Sequence, residues 1–154
     1  MTARLGYQAL RDLAPAVAPA LIGMSEAAAK SGLEKPLLEL AKIRASQING
    51  CAFCLDMHVR DARKAGESEA RIYLLNAWRE SPVYSERERA ALAWTEALTL
   101  VTEGHVPDAV YEETRRHFTE KELANLTAAN VAINAWNRIA IAFRYVPAAA
   151  ASER

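Results

Sequence analysis

Residues 39–58 of the 154-residue chain read ELAKIRASQINGCAFCLDMH, and this stretch indicates two successive helices. Apolar residues follow helical spacing over 37–48, and the Asn49-Gly50 dipeptide then favours a sharp bend. A second helix is predicted over 51–65, with Gly66 past its end as a C-terminal cap. The stretch therefore predicts a helix–bend–helix unit whose second helix opens with a Cys-x-x-Cys motif.

Toward the N-terminus, the sequence predicts one helix over 5–30, bent or interrupted by Pro15 and Pro19. Gly32 is a plausible stop for that helix. Pro36 occupies the position of a first helical residue, where its missing N–H costs nothing. The helix that precedes the bend is therefore expected to begin there.

Toward the C-terminus, helix signals follow one another at short intervals. A run over 68–78 is closed by Ser81-Pro82. Residues 85–88 (SERE) and 119–122 (TEKE) are capping boxes, in which a hydroxyl caps the helix and a glutamate three residues later reaches back. The first box opens a helix that is expected to end at Gly104, and a short helix over 107–117 precedes the second.

The second capping box opens a long apolar helix through Ala140, and the alanine-rich segment after it shows no apolar period. No stretch alternates as a strand does. We therefore predict a single all-α domain over 1–154, with about seven helices and a frayed tail over 146–154.

Composition narrows the function classes. Nineteen basic residues balance nineteen acidic ones, so no net charge attracts nucleic acid or an anionic membrane. The N-terminus lacks the pattern of a signal peptide, and no run of eighteen apolar residues could span a bilayer. We expect a cytoplasmic protein, where a close cysteine pair is more often catalytic or metal-binding than a structural disulfide.

The helix after the bend has one inward stripe, formed by Cys51, Cys54, Leu55, His58 and Ala62. Both thiols and the imidazole therefore point inward. A helix N-terminus favours a thiolate, which is the nucleophilic form of cysteine. A thiol pair three residues apart can close a disulfide, and the imidazole one turn on can accept a thiol proton.

Glu39 lies on the preceding helix, and a bend at Asn49-Gly50 brings it toward the thiols. A carboxylate there could hold or relay a proton. Two other interpretations stay open. The cysteines could be small buried core residues, or Cys51, Cys54, His58 and Glu39 could bind zinc as a four-ligand set.

The spacing of Glu39, the Cys-x-x-Cys motif twelve residues on, and a histidine four residues after its second cysteine strongly resembles the AhpD-like branch of the carboxymuconolactone decarboxylase family. Residues 85–97 and 134–140 also look like this family, so the resemblance covers most of the chain.

The resemblance implies an all-helical fold assembled as a homotrimer or homohexamer in a ring. It implies a peroxidase with no cofactor or metal, in which Cys54 attacks a hydroperoxide and Cys51 resolves the product to a disulfide. His58 and Glu39 would form the proton relay, and a thiol reductant, such as a lipoyl-bearing protein, would restore the dithiol.

One departure from the family concerns Phe53, since AhpD proper has a histidine just before the second cysteine. Decarboxylase members lack the cysteine pair, so lactone decarboxylation is not expected. Three hypotheses follow: a thiol peroxidase, a dithiol–disulfide oxidoreductase or redox sensor without peroxide turnover, and a metal-binding or purely structural helical protein.

Overall fold

A computed structural model describes residues 2–149, and within them every regular element is a helix. The eight α-helices are α1 (Tyr7–Leu13), α2 (Val17–Ala29), α3 (Lys35–Asn49), α4 (Ala52–Lys64), α5 (Glu69–Leu74), α6 (Glu86–Thr99), α7 (Asp108–His117) and α8 (Glu120–Phe143). Two 3₁₀ turns, Leu75–Ala77 and Val101–Glu103, follow α5 and α6. The all-α prediction is confirmed.

The N-terminal region differs from the prediction, because the helix expected over 5–30 is two helices. The break falls at Ala14, whose φ of −135° and ψ of 67° are not helical. Ala14 precedes Pro15, and a proline ring disfavours the helical conformation of the residue before it. Pro19 lies in the first turn of α2, where no N–H is needed. The count is therefore eight helices rather than about seven.

The bend between α3 and α4 is confirmed. Gly50 has a φ of 68°, a left-handed conformation that glycine adopts without a steric penalty. The N–H of Cys51 donates to the carbonyl of Ser46 at 3.0 Å, which closes the end of α3. The chain reverses there, so that α4 packs back along α3.

Both capping boxes are confirmed, at the starts of α6 and α8. Two boundaries differ from the prediction. The helix predicted over 68–78 is the short α5 followed by a 3₁₀ turn. Helix α6 ends at Thr99, before the 3₁₀ turn that leads to Gly104. Helix ends commonly tighten in this way, and sequence patterns locate them poorly.

The centre of the fold is α3, which packs against α4, α6 and α8. Leu38, Leu40 and Ile43 of α3 are almost fully buried, and burying a side chain of this kind contributes about 1.5–3 kcal/mol. At the C-terminal end of α3, Ala45 and Ile133 form a small apolar cluster with the two cysteines. The core thus positions the cysteine pair at the junction of three helices.

The chain after α8 turns back on the fold. Arg144 adopts a left-handed conformation with a φ of 56°, and the N–H of Ala148 donates to the carboxylate of Asp56 on α4 at 2.9 Å. Residues 150–154 lie outside the described part of the chain, so the frayed tail over 146–154 stays a prediction.

Candidate active site

The two cysteines form a buried thiol pair at the start of α4. Cys51 is the N-cap residue, and its sulfur accepts a hydrogen bond from the backbone N–H of Cys54 at 3.3 Å. The two sulfurs are 2.6 Å apart, against about 2.05 Å in a disulfide. Both are free thiols with about 1% of their surface exposed. The two sulfurs are therefore already close to bonding distance.

The contact between the two sulfurs changes their pKa values in opposite directions. The hydrogen bond from Cys54 is the largest cause that lowers the pKa of Cys51, to about 7. The same hydrogen bond, together with burial, raises the pKa of Cys54. When the pair loses its first proton, the negative charge therefore belongs to Cys51.

A second polar group joins Glu39 of α3 to His58 of α4 and to Lys42. His58 lies one helical turn after Cys54, whereas Glu39 lies ten residues before the end of α3. Glu39 Oε2 lies 2.9 Å from His58 Nδ1, and Glu39 Oε1 accepts from Lys42 Nζ at 2.9 Å. Burial would raise the pKa of Glu39, but the His58 hydrogen bond and the Lys42 charge lower it below its usual value. Glu39 is therefore an ionised acceptor at neutral pH.

That charge assigns the tautomer of His58. A carboxylate can only accept, so Nδ1 carries the hydrogen in the Glu39 contact and Nε2 is left with a free lone pair. The ring is held in the orientation that a proton acceptor needs. The arrangement matches the pairing in which a carboxylate orients a catalytic histidine.

An apolar cavity of about 500 Å³ joins the two groups. Cys54 and His58 line it, whereas Cys51 and Glu39 lie behind its wall. The remaining wall comes mainly from α2 and α8, and Lys42 of α3 is its only other cationic lining residue in the described chain. The reachable thiol is therefore Cys54, even though Cys51 is the more acidic one.

Aromatic rings form one side of the cavity. Phe53 packs edge-on against Tyr145, with ring centroids 5.4 Å apart. Tyr7 contacts both Tyr145 at 6.4 Å and Trp136 at 6.3 Å. Edge-on and tilted pairs of this kind are favourable arrangements. This side of the cavity is thus built from α1, α4, α8 and the segment that follows α8.

The structure brings the four predicted residues together as two pairs, Cys51 with Cys54 and Glu39 with His58. Within residues 2–149, no hydrogen bond joins His58 to either sulfur. One member of each pair, Cys54 and His58, lines the same cavity. The catalytic roles of these four residues stay predictions.

Sequence reasoning missed three residues at the site. Lys42 lies three residues after Glu39, so helical spacing places the two together and could have revealed the ion pair. Asn137 is fully buried beside the thiols, and only its mid-helix position hinted at burial. Tyr145 lies in a segment without apolar periodicity, so no local signal predicted its place in the cavity.

The zinc interpretation gains no support from the geometry. In the part of the chain that the structure describes, no three His, Cys, Asp or Glu side chains are grouped so that they could hold a metal ion. Both oxygens of Glu39 already accept hydrogen bonds, from Lys42 and His58.

Over residues 2–149, no helix is long and apolar enough to cross a bilayer.

Comparison with known proteins identifies a family and a similar bacterial protein. The model of the carboxymuconolactone decarboxylase family matches residues 15–97. The uncharacterized protein YdfG of Bacillus subtilis is 44% identical over 142 residues, which cover 92% of this chain and 95% of that protein.

Solved structures share the fold. The crystal structure of ATU0492 from Agrobacterium tumefaciens matches with a TM-score of 0.89 at 44% identity, over 95% of this chain and 98% of that one. ATU0492 is a protein of unknown function, suggested to be the antioxidant defence protein AhpD. The debrominase Bmp8 matches with a TM-score of 0.79 at 20% identity, over 88% of this chain and 73% of that one. At that identity the likeness concerns the fold alone.

Proposed function

The chain belongs to the carboxymuconolactone decarboxylase family, and we propose that it is a thiol-dependent peroxidase that reduces organic hydroperoxides through Cys54 and Cys51. One observation carries the proposal: the Cys54 thiol faces an apolar cavity while a second thiol lies 2.6 Å behind it. A nucleophile, a resolving thiol and a substrate-sized space are the parts that thiol peroxidation needs.

The reaction proceeds by two displacements at sulfur. Cys54 passes its proton to Cys51 across their short contact, and the Cys54 thiolate attacks the outer oxygen of the hydroperoxide. An S–O bond forms and the O–O bond breaks. The alkoxide leaves as the alcohol after taking, by way of His58, the proton that Cys51 received, which returns Cys51 to its thiolate form. Cys54 is then a sulfenic acid, oxidised by two electrons. The Cys51 thiolate attacks that sulfur, forms the disulfide and releases hydroxide, which leaves as water.

His58 serves the proton transfers of this cycle. Glu39 holds Nδ1, so Nε2 can take up the thiol proton and return it to the departing oxygen. Because no direct hydrogen bond links His58 to a sulfur within residues 2–149, the transfer runs through a water or the substrate in the shared cavity. Once protonated, the imidazolium is stabilised by the Glu39 carboxylate, since an unpaired buried charge is costly.

The cavity favours organic over inorganic peroxides. Its volume of about 500 Å³ lies within the roughly 300–1,000 Å³ of pockets that bind drug-sized molecules. Its wall is mostly apolar and includes the rings of Phe53 and Trp136. Hydrogen peroxide would leave most of this surface without a contact, whereas an alkyl or aryl group would bury it.

A second candidate function is a dithiol–disulfide oxidoreductase or redox sensor. The pKa of Cys51, lowered to about 7 by its hydrogen bond from Cys54, suits thiol–disulfide exchange at neutral pH. Phe53 also replaces the histidine that AhpD proper carries at this position. This alternative uses the same two cysteines, so only reactivity toward a hydroperoxide separates it from the peroxidase.

The cycle needs a thiol reductant, and we propose a dithiol of the lipoyl type. The oxidised sulfur of Cys54 is reached through the mostly apolar cavity, which suits an aliphatic arm better than a charged tripeptide such as glutathione. A cytoplasmic location, where thiols are kept reduced, agrees with this cycle. Dihydrolipoamide should restore both thiols faster than glutathione at equal thiol concentration, and the reverse order would exclude the proposal.

We also propose a homotrimer or homohexamer. The thirteen-residue helix α2 buries only Ala18 and Ala28 within the chain, and Val17, Ile22 and Met24 of the same helix are exposed. Several large apolar side chains exposed on one helix are normally covered by another chain. Light scattering should give the mass of three or six chains at micromolar concentration, and a monomer would contradict the assembly.

Trapping of the sulfenic acid tests the peroxidase proposal. In Cys51→Ser the resolving thiol is absent, so cumene hydroperoxide should leave a sulfenic acid on Cys54 that dimedone labels. Cys54→Ser, the matched control, should show no label on Cys51, which lies behind the cavity wall. Absence of label on Cys54 together with rapid exchange with a disulfide would favour the oxidoreductase.

A further inference from the structure

A network of buried polar side chains lies behind the thiols. Asn137 of α8 has none of its surface exposed. Its Oδ1 accepts from Asn49 Nδ2 at 2.9 Å, and its Nδ2 donates to Ser46 Oγ at 3.0 Å. The network therefore ties α8 to the end of α3, directly beside the turn that positions Cys51.

The hydrogen bonds fix which way the Asn137 amide points. The Ser46 hydroxyl donates its own hydrogen to the carbonyl of Lys42 at 2.8 Å, so toward Asn137 its oxygen acts as an acceptor. The group of Asn137 that faces Ser46 must then be the NH₂. Only one of its two hydrogens goes to Ser46, which leaves the other for a second acceptor.

The thiol pair lies next to this amide, because Ile133 and Ala140, which flank Asn137 on the same face of α8, form one cluster with Cys51 and Cys54. The contact between the two sulfurs has the largest influence on their acidity, but a hydrogen bond from Asn137 lowers the pKa of both Cys51 and Cys54. The other donor to Cys51 is the backbone N–H of Cys54, at the start of α4. A sulfur anion there would thus receive one donor from the α4 terminus and one from α8.

We propose that Asn137 is a catalytic residue whose amide N–H stabilises the thiolate of the Cys51–Cys54 pair. A buried anion needs hydrogen bonds to replace those of water, and fixed donors supply them without reorganisation. The orientation of the amide, locked by Ser46 and Asn49, makes it a donor rather than an acceptor. The proposal goes beyond the peroxidase function, because it concerns the resting dithiol and requires no particular substrate.

A titration of the reduced protein tests this role. Thiolate absorbance near 240 nm is followed against pH, with no peroxide present, and the wild-type midpoint is expected at about 7. Asn137→Ala should raise the midpoint by at least about one pH unit. Asn137→Asp, which keeps the shape but replaces the donor with an oxygen, should raise it further.

Asn134 supplies the matched control. It lies one turn away on the same helix, and its Nδ2 donates to Thr99 and to the carbonyl of Asn130 rather than to sulfur. Asn134→Ala should leave the midpoint within about 0.3 pH unit of wild type, since no donor to the thiols is lost. A network that acted only through packing would shift both variants alike, and that result would overturn the proposal.

A third variant guards against loss of folding in the Asn137 variants. Ser46→Ala keeps the Asn137 donor but removes the hydroxyl that orients it. Its midpoint should rise by less than that of Asn137→Ala, with the helical signal in circular dichroism unchanged. An unchanged midpoint in the folded Ser46 and Asn137 variants would overturn the proposal. Peroxide reactivity plays no part, so the proposed peroxidase function could fail while this result stands.

Discussion

The thiol pair and the Glu39–His58 pair stand on the same two helices, yet they are built in opposite ways. The thiols lie at the bend, where the contacts to sulfur in residues 2–149 include the other thiol and a backbone N–H. Glu39 and His58 lie further from the bend, where Lys42 completes a charged group. The first arrangement can change its covalent bonds with little movement, while the second can only hold or release a proton.

This difference separates the two parts of the chemistry in space. In the proposed cycle the sulfurs are oxidised and the imidazole transfers protons, and Cys54 and His58 line the same cavity. Loss of a sulfur should therefore abolish turnover, whereas loss of the charged group should slow it. The predictions below test that order.

The largest effect is expected for Cys54→Ser. A hydroxyl is far less acidic and less nucleophilic than a thiol, so turnover of cumene hydroperoxide should fall by more than about a thousandfold. Serine is similar in size, and the helical content should stay as in wild type. Initial rates under excess dithiol measure the loss. Substantial residual turnover would place the reacting sulfur at Cys51 instead.

The next largest effect is that of pH on the wild-type protein. The pKa of Cys51 is lowered to about 7 by its hydrogen bond from Cys54, so the thiolate fraction falls as the pH drops below that value. The rate of thiol oxidation should therefore decrease by up to about tenfold for each pH unit below about 6. Stopped-flow measurement between pH 5 and 8 would reveal it, and a flat profile would argue against a thiolate that forms near neutrality.

Replacement of the proton acceptor should have a smaller effect. His58→Gln and Glu39→Gln should each slow the oxidation of Cys54 at least about tenfold, which is the low end for a lost acid–base group. Asp61→Asn, on α4 and outside the cavity lining, is the control and should react as wild type does. Wild-type rates in both His58→Gln and Glu39→Gln would mean that the donors at the α4 terminus stabilise the thiolate without a contribution from His58 or Glu39.

The smallest effect is expected for Lys42→Met. Despite burial, the pKa of Glu39 is lowered by its contacts with His58 and Lys42. Glu39 therefore stays ionised at a pH where a free glutamate would already have taken up a proton. Stability from this carboxylate is present above the usual pKa of a glutamate and is lost as the pH falls through the lower folded value. Without Lys42, Glu39 should be protonated at higher pH, so the variant should lose a fewfold in rate at pH 5 and little at pH 8.

Lys35→Met is the matched control for this prediction, because Lys35 lies on the same helix and is exposed. Its rate should follow the wild-type profile at every pH. An equal loss at pH 5 and pH 8 in Lys42→Met would show that Lys42 acts on packing rather than on the charge of Glu39.

The sequence allowed the α3–α4 unit to be predicted well, because its signals are local. The bend needs a glycine at a φ of 68°, and the inward stripe of α4 follows from helical spacing alone. The break observed at Ala14 falls within a region that was predicted as one bent or interrupted helix. A proline indicates where a helix is disturbed but not whether a new helix begins after it.

The rest of the site depends on contacts between distant segments. Asn137 and Ser46 are 91 positions apart, and their hydrogen bond exists only because α8 packs on α3. Tyr145 reaches the cavity after a left-handed turn at Arg144, a residue type that rarely adopts that conformation. No local pattern encodes such contacts.

The most direct test of the account is the mass of the reduced wild-type protein before and after one equivalent of cumene hydroperoxide. The account predicts a loss of about 2 Da, complete protection of both cysteines from alkylation and full recovery on treatment with a dithiol. An unchanged mass with two alkylatable thiols would contradict it, and would leave Cys51 and Cys54 as residues of a buried core.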